Sequence, residues 1–166
     1  VAAAHADVLE AYRLALHETR AGVEAPEVQR RGCQFFEDRR HPTVLTNPET
    51  QEGFVHAIGH GLGLDVHEPP TFRIQAGRPD RLEIGQVVTI EPGLYYPDRG
   101  FGVRVEDTVW IGPDGPQVLA PYPMDLVLPL RRSRRAPAKS KTKKDTGAAK
   151  KAKSPPSRRA PRRPAK

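Results

Sequence analysis

The sequence predicts an α+β fold, two helices followed by an antiparallel sheet, on three observations. Residues 1–21 place Val8, Leu9, Tyr12 and Leu16 about one helical turn apart, the pattern of an amphipathic helix. Pro26-Glu27 then reads as a second helix start, since proline fits a first turn and an acidic side chain suits the positive helix end. Three β-rich runs follow, separated by Gly, Pro and Asp and without internal repeats. Helices followed by strands argue for α+β rather than for alternating parallel units.

Taken in order, the first helix is expected to stop at Gly22 and the second to run to about Arg39. His41-Pro42 and Asn47-Pro48 mark a connector before Phe54–Ile58, because a residue ahead of proline is pushed out of helical conformation. The expected strands are Val87–Ile90, Val103–Ile111 and Gln117–Ala120. Pro97-Asp98-Arg99-Gly100 supplies a hairpin connection for the first two, and Gly112-Pro113-Asp114-Gly115 for the last two.

Charge divides the chain into two parts. Residues 1–130 hold 11 Arg, no Lys and 19 Asp or Glu, a formal charge of -8, whereas residues 131–166 hold 8 Arg and 8 Lys against Asp145 alone, +15. The net +7 therefore belongs to the tail, and the body is acidic. The tail has Pro137, Pro155, Pro156, Pro161 and Pro164, no aromatic residue and no aliphatic residue larger than Ala, so it is expected to stay disordered. Two domains follow: 1–130 folded and 131–166 disordered. The RRSRR and PRRPAK clusters suit weak, nonspecific nucleic-acid contact by counterion release; a solubilising extension is the plainer reading.

Cys33 is the single cysteine, which excludes an internal disulfide and a cysteine-rich zinc module and fits a cytoplasmic location. Neither a membrane-spanning apolar run nor a signal-peptide pattern occurs. The start at Val1, without Met and in the middle of a helical pattern, suggests a fragment.

Chemistry concentrates between residues 53 and 107. His56 and His60 share one side in a helix or in a strand, and Gly53, Gly59, Gly61 and Gly63 favour a strand or open turn. His67-Glu68 is followed by Pro69-Pro70, which excludes the HExxH metallopeptidase helix. Thr89 and Glu91 share one strand face; Arg104, Glu106 and Thr108 share another. A carboxylate in an apolar strand must be paired, protonated or metal-bound, so an Arg104–carboxylate ion pair and a metal site both stand open. His5, His17 and His41 read as exposed or hydrogen-bonded rings rather than ligands.

His56, the run GHGLGLDVH from Gly59 to His67, Glu91-Pro92-Gly93 and Arg104-Val105-Glu106-Asp107 together resemble the ordered motifs of the M24 metallopeptidase family, which includes aminopeptidase P, prolidase and methionine aminopeptidase. Leu64-Asp65-Val66-His67 and Glu91-Pro92-Gly93-Leu94-Tyr95 resemble its Xaa-Pro branch. The resemblance covers residues 1–125 and implies the pita-bread (creatinase-like) fold, incomplete at its amino-terminal side. It implies hydrolysis of the first peptide bond, before proline, with two divalent ions: manganese, cobalt or zinc. His60, Glu91 and Glu106 match metal ligands, Glu106 the bridging one. His56 and His67 match catalytic, substrate-binding histidines that orient the peptide and stabilise the developing oxyanion, Glu91 also matches a proton handler, and Arg104 matches a residue that holds the carboxylates.

The family takes two further aspartates from an upstream hairpin. Asp7 and Asp38 have the wrong surroundings to replace them, so a weak or inactive chain is expected. A noncatalytic binding module built on the same fold, a methionine aminopeptidase or a hydrolase of another small amide such as creatine are the alternatives. The resemblance also makes a homodimer plausible.

Overall fold

The computed structural model describes residues 1–77 and 79–128. The basic tail at 131–166, its expected disorder and its nucleic-acid contact all lie outside the described residues. Helices α1 (Ala2–Glu18) and α2 (Ala25–Asp38) come first. Strands β1 (His60–Gly61), β2 (Glu68–Thr71), β3 (Val87–Ile90), β4 (Gly93–Tyr96), β5 (Phe101–Arg104), β6 (Asp107–Gly112) and β7 (Gly115–Val118) follow. The expected α+β order is observed. One antiparallel sheet runs β2-β1-β3-β6-β7, and β4 and β5 form a second, two-stranded sheet. No helix among the described residues is long and apolar enough to cross a membrane.

The expected stripe on α1 needs correction. Ala4, Val8, Ala11, Tyr12 and Ala15 are its buried residues, while Leu9 and Leu16 are only partly buried. Alanines let the helix axis approach the sheet closely, and the leucines pack at the margin. On α2 the buried face includes Val28, Gln29, Gly32, Cys33 and Phe36. Phe36 meets the fully buried Phe54 with ring centroids 5.1 Å apart, and each such ring contributes about 1.5–3 kcal/mol of burial.

The strand expected over Val103–Ile111 is interrupted. Its first part pairs with β4 from Tyr96↔Phe101 to Gly93↔Arg104, and its second with β3 from Ile90↔Asp107 to Val87↔Trp110. Both ladders keep one register, and the 3-10 turn Pro97–Arg99 forms the hairpin tip as expected. Between the ladders Glu91-Pro92 lies across from Val105-Glu106, so the register sets Glu91 opposite Glu106. Pro92 has no N–H for a ladder; its carbonyl accepts from Val105 N at 3.3 Å. The last strand is Gly115–Val118 rather than Gln117–Ala120, because its pairing with β6 closes immediately at Gly112↔Gly115.

His60 lies in the strand geometry that the glycines favoured, and His56 lies in the irregular segment before it. Close packing explains one of those glycines: a Cβ on Gly59 would run into the Thr89 carbonyl. Gly100 needs its freedom for another reason, a left-handed φ of 67° in open space.

These two sites should respond differently to the same change. Gly59→Ala should lower stability by about 1–3 kcal/mol by forcing the His60 segment away from β3. Gly100→Ala should cost about 1–2 kcal/mol from backbone conformation and leave the groove unchanged. Urea midpoints measure both, and an unaltered midpoint for Gly59→Ala would show that the two segments part freely.

Candidate active site

His56, His60, His67, Glu91 and Arg104 line one groove of about 530 Å³, with Arg73 at its rim. The ends of β1, β3 and β5 and the loops beside them bring these side chains together. Glu91 is 7% exposed and follows the last residue of β3. Its Oε1 accepts from Thr89 Oγ1 at 3.3 Å, and its Oε2 lies 3.2 Å from Arg104 Nη1. A carboxylate taken from water thus has a charged donor and a hydroxyl in place of solvent.

Arg104 has contacts in four directions. Its Nε donates to Tyr95 Oη at 2.8 Å and its Nη2 to His56 Nε2 at 3.3 Å. Its Nη1 serves Glu91 and stands 3.9 Å from Glu106 Oε2. A planar guanidinium can divide its donors among several acceptors in this way, whereas an ammonium cannot. The ion pair that the sequence left open is therefore present, and it joins the two glutamates.

The contacts of His56 settle its tautomer. A guanidinium only donates, so Nε2 is the acceptor, and Nδ1 carries the proton that it donates to Ala57 O at 2.7 Å. Burial pushes the imidazole pKa below the ordinary 6.5; the bond to Ala57 opposes this, and the positive charges of Arg104 and Arg73 add to the lowering. His56 is thereby held neutral.

His60 Nδ1 donates to Gly61 O at 2.9 Å, and its backbone N–H donates to Thr89 Oγ1 at 3.1 Å. Its Nε2 then faces Glu91 Oε1 at 3.2 Å. Two lone-pair atoms at that distance repel unless a proton or a metal cation lies between them. This donor chemistry fits a cation at the His60–Glu91 pair. His67 lies on the exposed loop beyond β1, with its ring centroid 4.3 Å from that of His60.

Of the three expected metal ligands, the structure pairs His60 with Glu91 directly and holds the exposed Glu106 across the Arg104 guanidinium. Among the described residues no group of three or more His, Cys, Asp or Glu side chains is arranged for one ion. Asp7 is engaged with Arg39 and His41, and Asp38 accepts from Gln34, so neither faces the groove. His5 bonds to Met124 O at 2.8 Å and His41 to Tyr96 Oη and Asp7, which are hydrogen-bonded roles.

Tyr95 and Gln29 were absent from the expected site. Tyr95 ended a recognised motif, but its contact with Arg104 depends on the β4–β5 pairing. Gln29 was hidden in a helix, with only a polar residue on an otherwise apolar face as its signal.

The model of metallopeptidase family M24 matches residues 1–113. The Xaa-Pro dipeptidases of Pyrococcus horikoshii and Pyrococcus furiosus are 36% and 35% identical over 120 residues, each match covering 72% of this chain and 31% of the relative. The crystal structure of the prolidase from Pyrococcus horikoshii matches with a TM-score of 0.63 and 32% identity over 75% of this chain and 33% of that one. The X-Pro aminopeptidase from Thermotoga maritima matches with a TM-score of 0.61 and 32% identity over 74% of this chain and 32% of that one. The chain thus spans about a third of the length of these relatives.

Arg104→Gln provides a test of the site's electrostatics. Removing the positive charge makes imidazolium less unfavourable, so the His56 pKa should rise, yet stay below 6.5 because burial is the larger cause. Proton NMR titration of the imidazole reads this shift; a fall or no change would contradict the proposed partnership.

Proposed function

We propose, from the premise that this chain belongs to metallopeptidase family M24, that its groove is part of a metal-dependent site hydrolysing the first peptide bond of peptides with proline second. The observation that supports this reading is the His60 Nε2–Glu91 Oε1 approach at 3.2 Å, two atoms that only a proton or a cation between them reconciles. The Xaa-Pro dipeptidase relatives support the substrate class. His60, Glu91 and Glu106 would hold divalent metal, which when bound activates water and polarises the scissile carbonyl.

The chain's own residues divide the remaining work. Arg104 and Thr89 hold the two oxygens of the Glu91 carboxylate in one orientation, from which Glu91 would also handle a proton. His56 serves as an orienting residue: while Nε2 accepts from Arg104 it has no proton to give at that atom. His67, exposed and lining the groove, would donate a hydrogen bond to the oxygen that becomes negative. Glu106, exposed and only 3.9 Å from the Arg104 guanidinium, would be the third side chain to hold the metal.

The resemblance calls for two further aspartates, which the partners of Asp7 and Asp38 do not leave to these residues. Binding of a full pair of manganese, cobalt or zinc ions is therefore assigned to a longer protein. One observation favours the second reading, a noncatalytic binding module: Glu106 stands beyond Arg104 rather than beside His60. The cytoplasm remains the proposed location, and a homodimer and tail contact with nucleic acid remain proposals from the resemblance and the charge pattern.

Calorimetric titration with manganese or zinc, with and without Glu91→Gln, separates the readings. The metallopeptidase reading expects metal uptake that weakens at least tenfold in the variant, and hydrolysis of Xaa-Pro peptides in preference to Met-Ala peptides by a chain carrying the two upstream aspartates. Equal uptake by both forms, or preference for Met-Ala, would sink it.

A further inference from the structure

One buried polar group lies outside the groove chemistry yet touches the chain that builds it. Gln29 is 2% exposed, on the inner face of α2. Its Nε2 donates to His56 O at 3.1 Å and its Oε1 accepts from Ile58 N at 2.6 Å. A third contact runs from Nε2 to Cys33 Sγ at 3.5 Å, within the same helix. The side-chain amide thus presents a donor and an acceptor to the backbone on both sides of Ala57, doing what a neighbouring strand would do for an extended segment.

The consequence reaches both halves of the groove. Ile58, held by Gln29 through its N–H, accepts from Glu91 N through its carbonyl at 2.8 Å. The same segment carries the His56 ring, whose Nδ1 bonds to Ala57 O. Gln29 therefore sits one backbone step from Glu91 and from the carbonyl that selects the His56 tautomer. An apolar side chain of equal length would fill the space, but it would leave a buried carbonyl and a buried N–H without partners.

We infer that Gln29 is a positioning residue, fixing through the 56–58 backbone the neutral His56 tautomer and the placement of Glu91. The geometric claim stands without any reaction; its effect on turnover rests on the metallopeptidase reading. The position is set by two bonds of opposite sense. Removing one partner should release the ring, whereas removing packing alone should not.

The test compares the full chain with Gln29→Met and Gln29→Glu. Nitrogen-15 NMR of His56 should show one fixed tautomer in the parent protein and a tautomer mixture in Gln29→Met. Gln29→Glu should keep Ile58 amide protection, since a carboxylate still accepts. It should lose the fixed tautomer above the pH at which the buried carboxyl ionises, and regain it below, because the protonated acid again donates to His56 O. Where hydrolysis is measured in a longer protein, Gln29→Met should lower kcat about a hundredfold with KM within about twofold.

A His56 tautomer unchanged in Gln29→Met would overturn the inference. If that variant does not fold, an unchanged His56 tautomer in Gln29→Glu on both sides of the carboxyl titration would overturn it equally. Loss of the tautomer in Gln29→Met, together with no peptide hydrolysis by a longer protein carrying the two upstream aspartates, would support the positioning role and reject the activity instead.

Discussion

The constraint that the rest of the site depends on is the burial of Glu91. A carboxylate that is 7% exposed must recover from protein groups what it loses in hydration, and no single element carries enough of them. Thr89 comes from its own strand and Arg104 from the far side of the hairpin, and His60 from β1 adds to them only with a proton or a cation between its Nε2 and Glu91. These contacts oblige β1 and the hairpin to meet at the end of β3. The groove is accordingly where the sheet has to supply polar groups, while the apolar faces of α1 and α2 close its other side.

The hairpin accommodates that need by leaving its ladder open for two residues on each side. Pro92 cannot donate, and Val105 turns its N–H to the Pro92 carbonyl, so Glu91 and Glu106 lie opposite each other without a regular backbone pair between them. Two carboxylates facing across a strand pair repel. Arg104, one turn of the pleat away, lies between them and replaces that repulsion with two attractions of unequal length, 3.2 Å and 3.9 Å. Since Arg104 and Glu106 are both substantially exposed, water screens the longer contact and Glu106 is held loosely. A bound metal would compete with Arg104 for Glu106 more easily than for Glu91.

Much of this was legible in the sequence, and the parts that were not share a cause. The helices were readable because Pro26, Gly22 and the apolar spacing act within a few residues; the hairpin was readable because Pro97-Asp98-Arg99-Gly100 fixes its tip. His60, Glu91 and Arg104 were found by alternation and ordered motifs. The division of Val103–Ile111 escaped because a period of two continues unchanged through the gap: Val105, Asp107, Val109 and Ile111 are all buried. Only the absent N–H of Pro92, on the other strand, reveals it. Gln29 escaped because its partners lie at residues 56 and 58, and a helix pattern shows which side is buried but not which backbone group waits there.

Two of the three groove histidines, His56 and His67, show how differently the fold surrounds one residue type. His56 is enclosed, has donors and acceptors on both nitrogens and is kept neutral by burial and by two arginines. His67 stands on an exposed loop, with its ring beside that of His60. Freeing Nε2 of His56 would require breaking a guanidinium contact, and charging it would place a cation beside Arg104. Partners on both nitrogens fix the first ring and make that part of the groove definite, while the second stands on an exposed loop; their equal residue type conceals this difference until the partners are known.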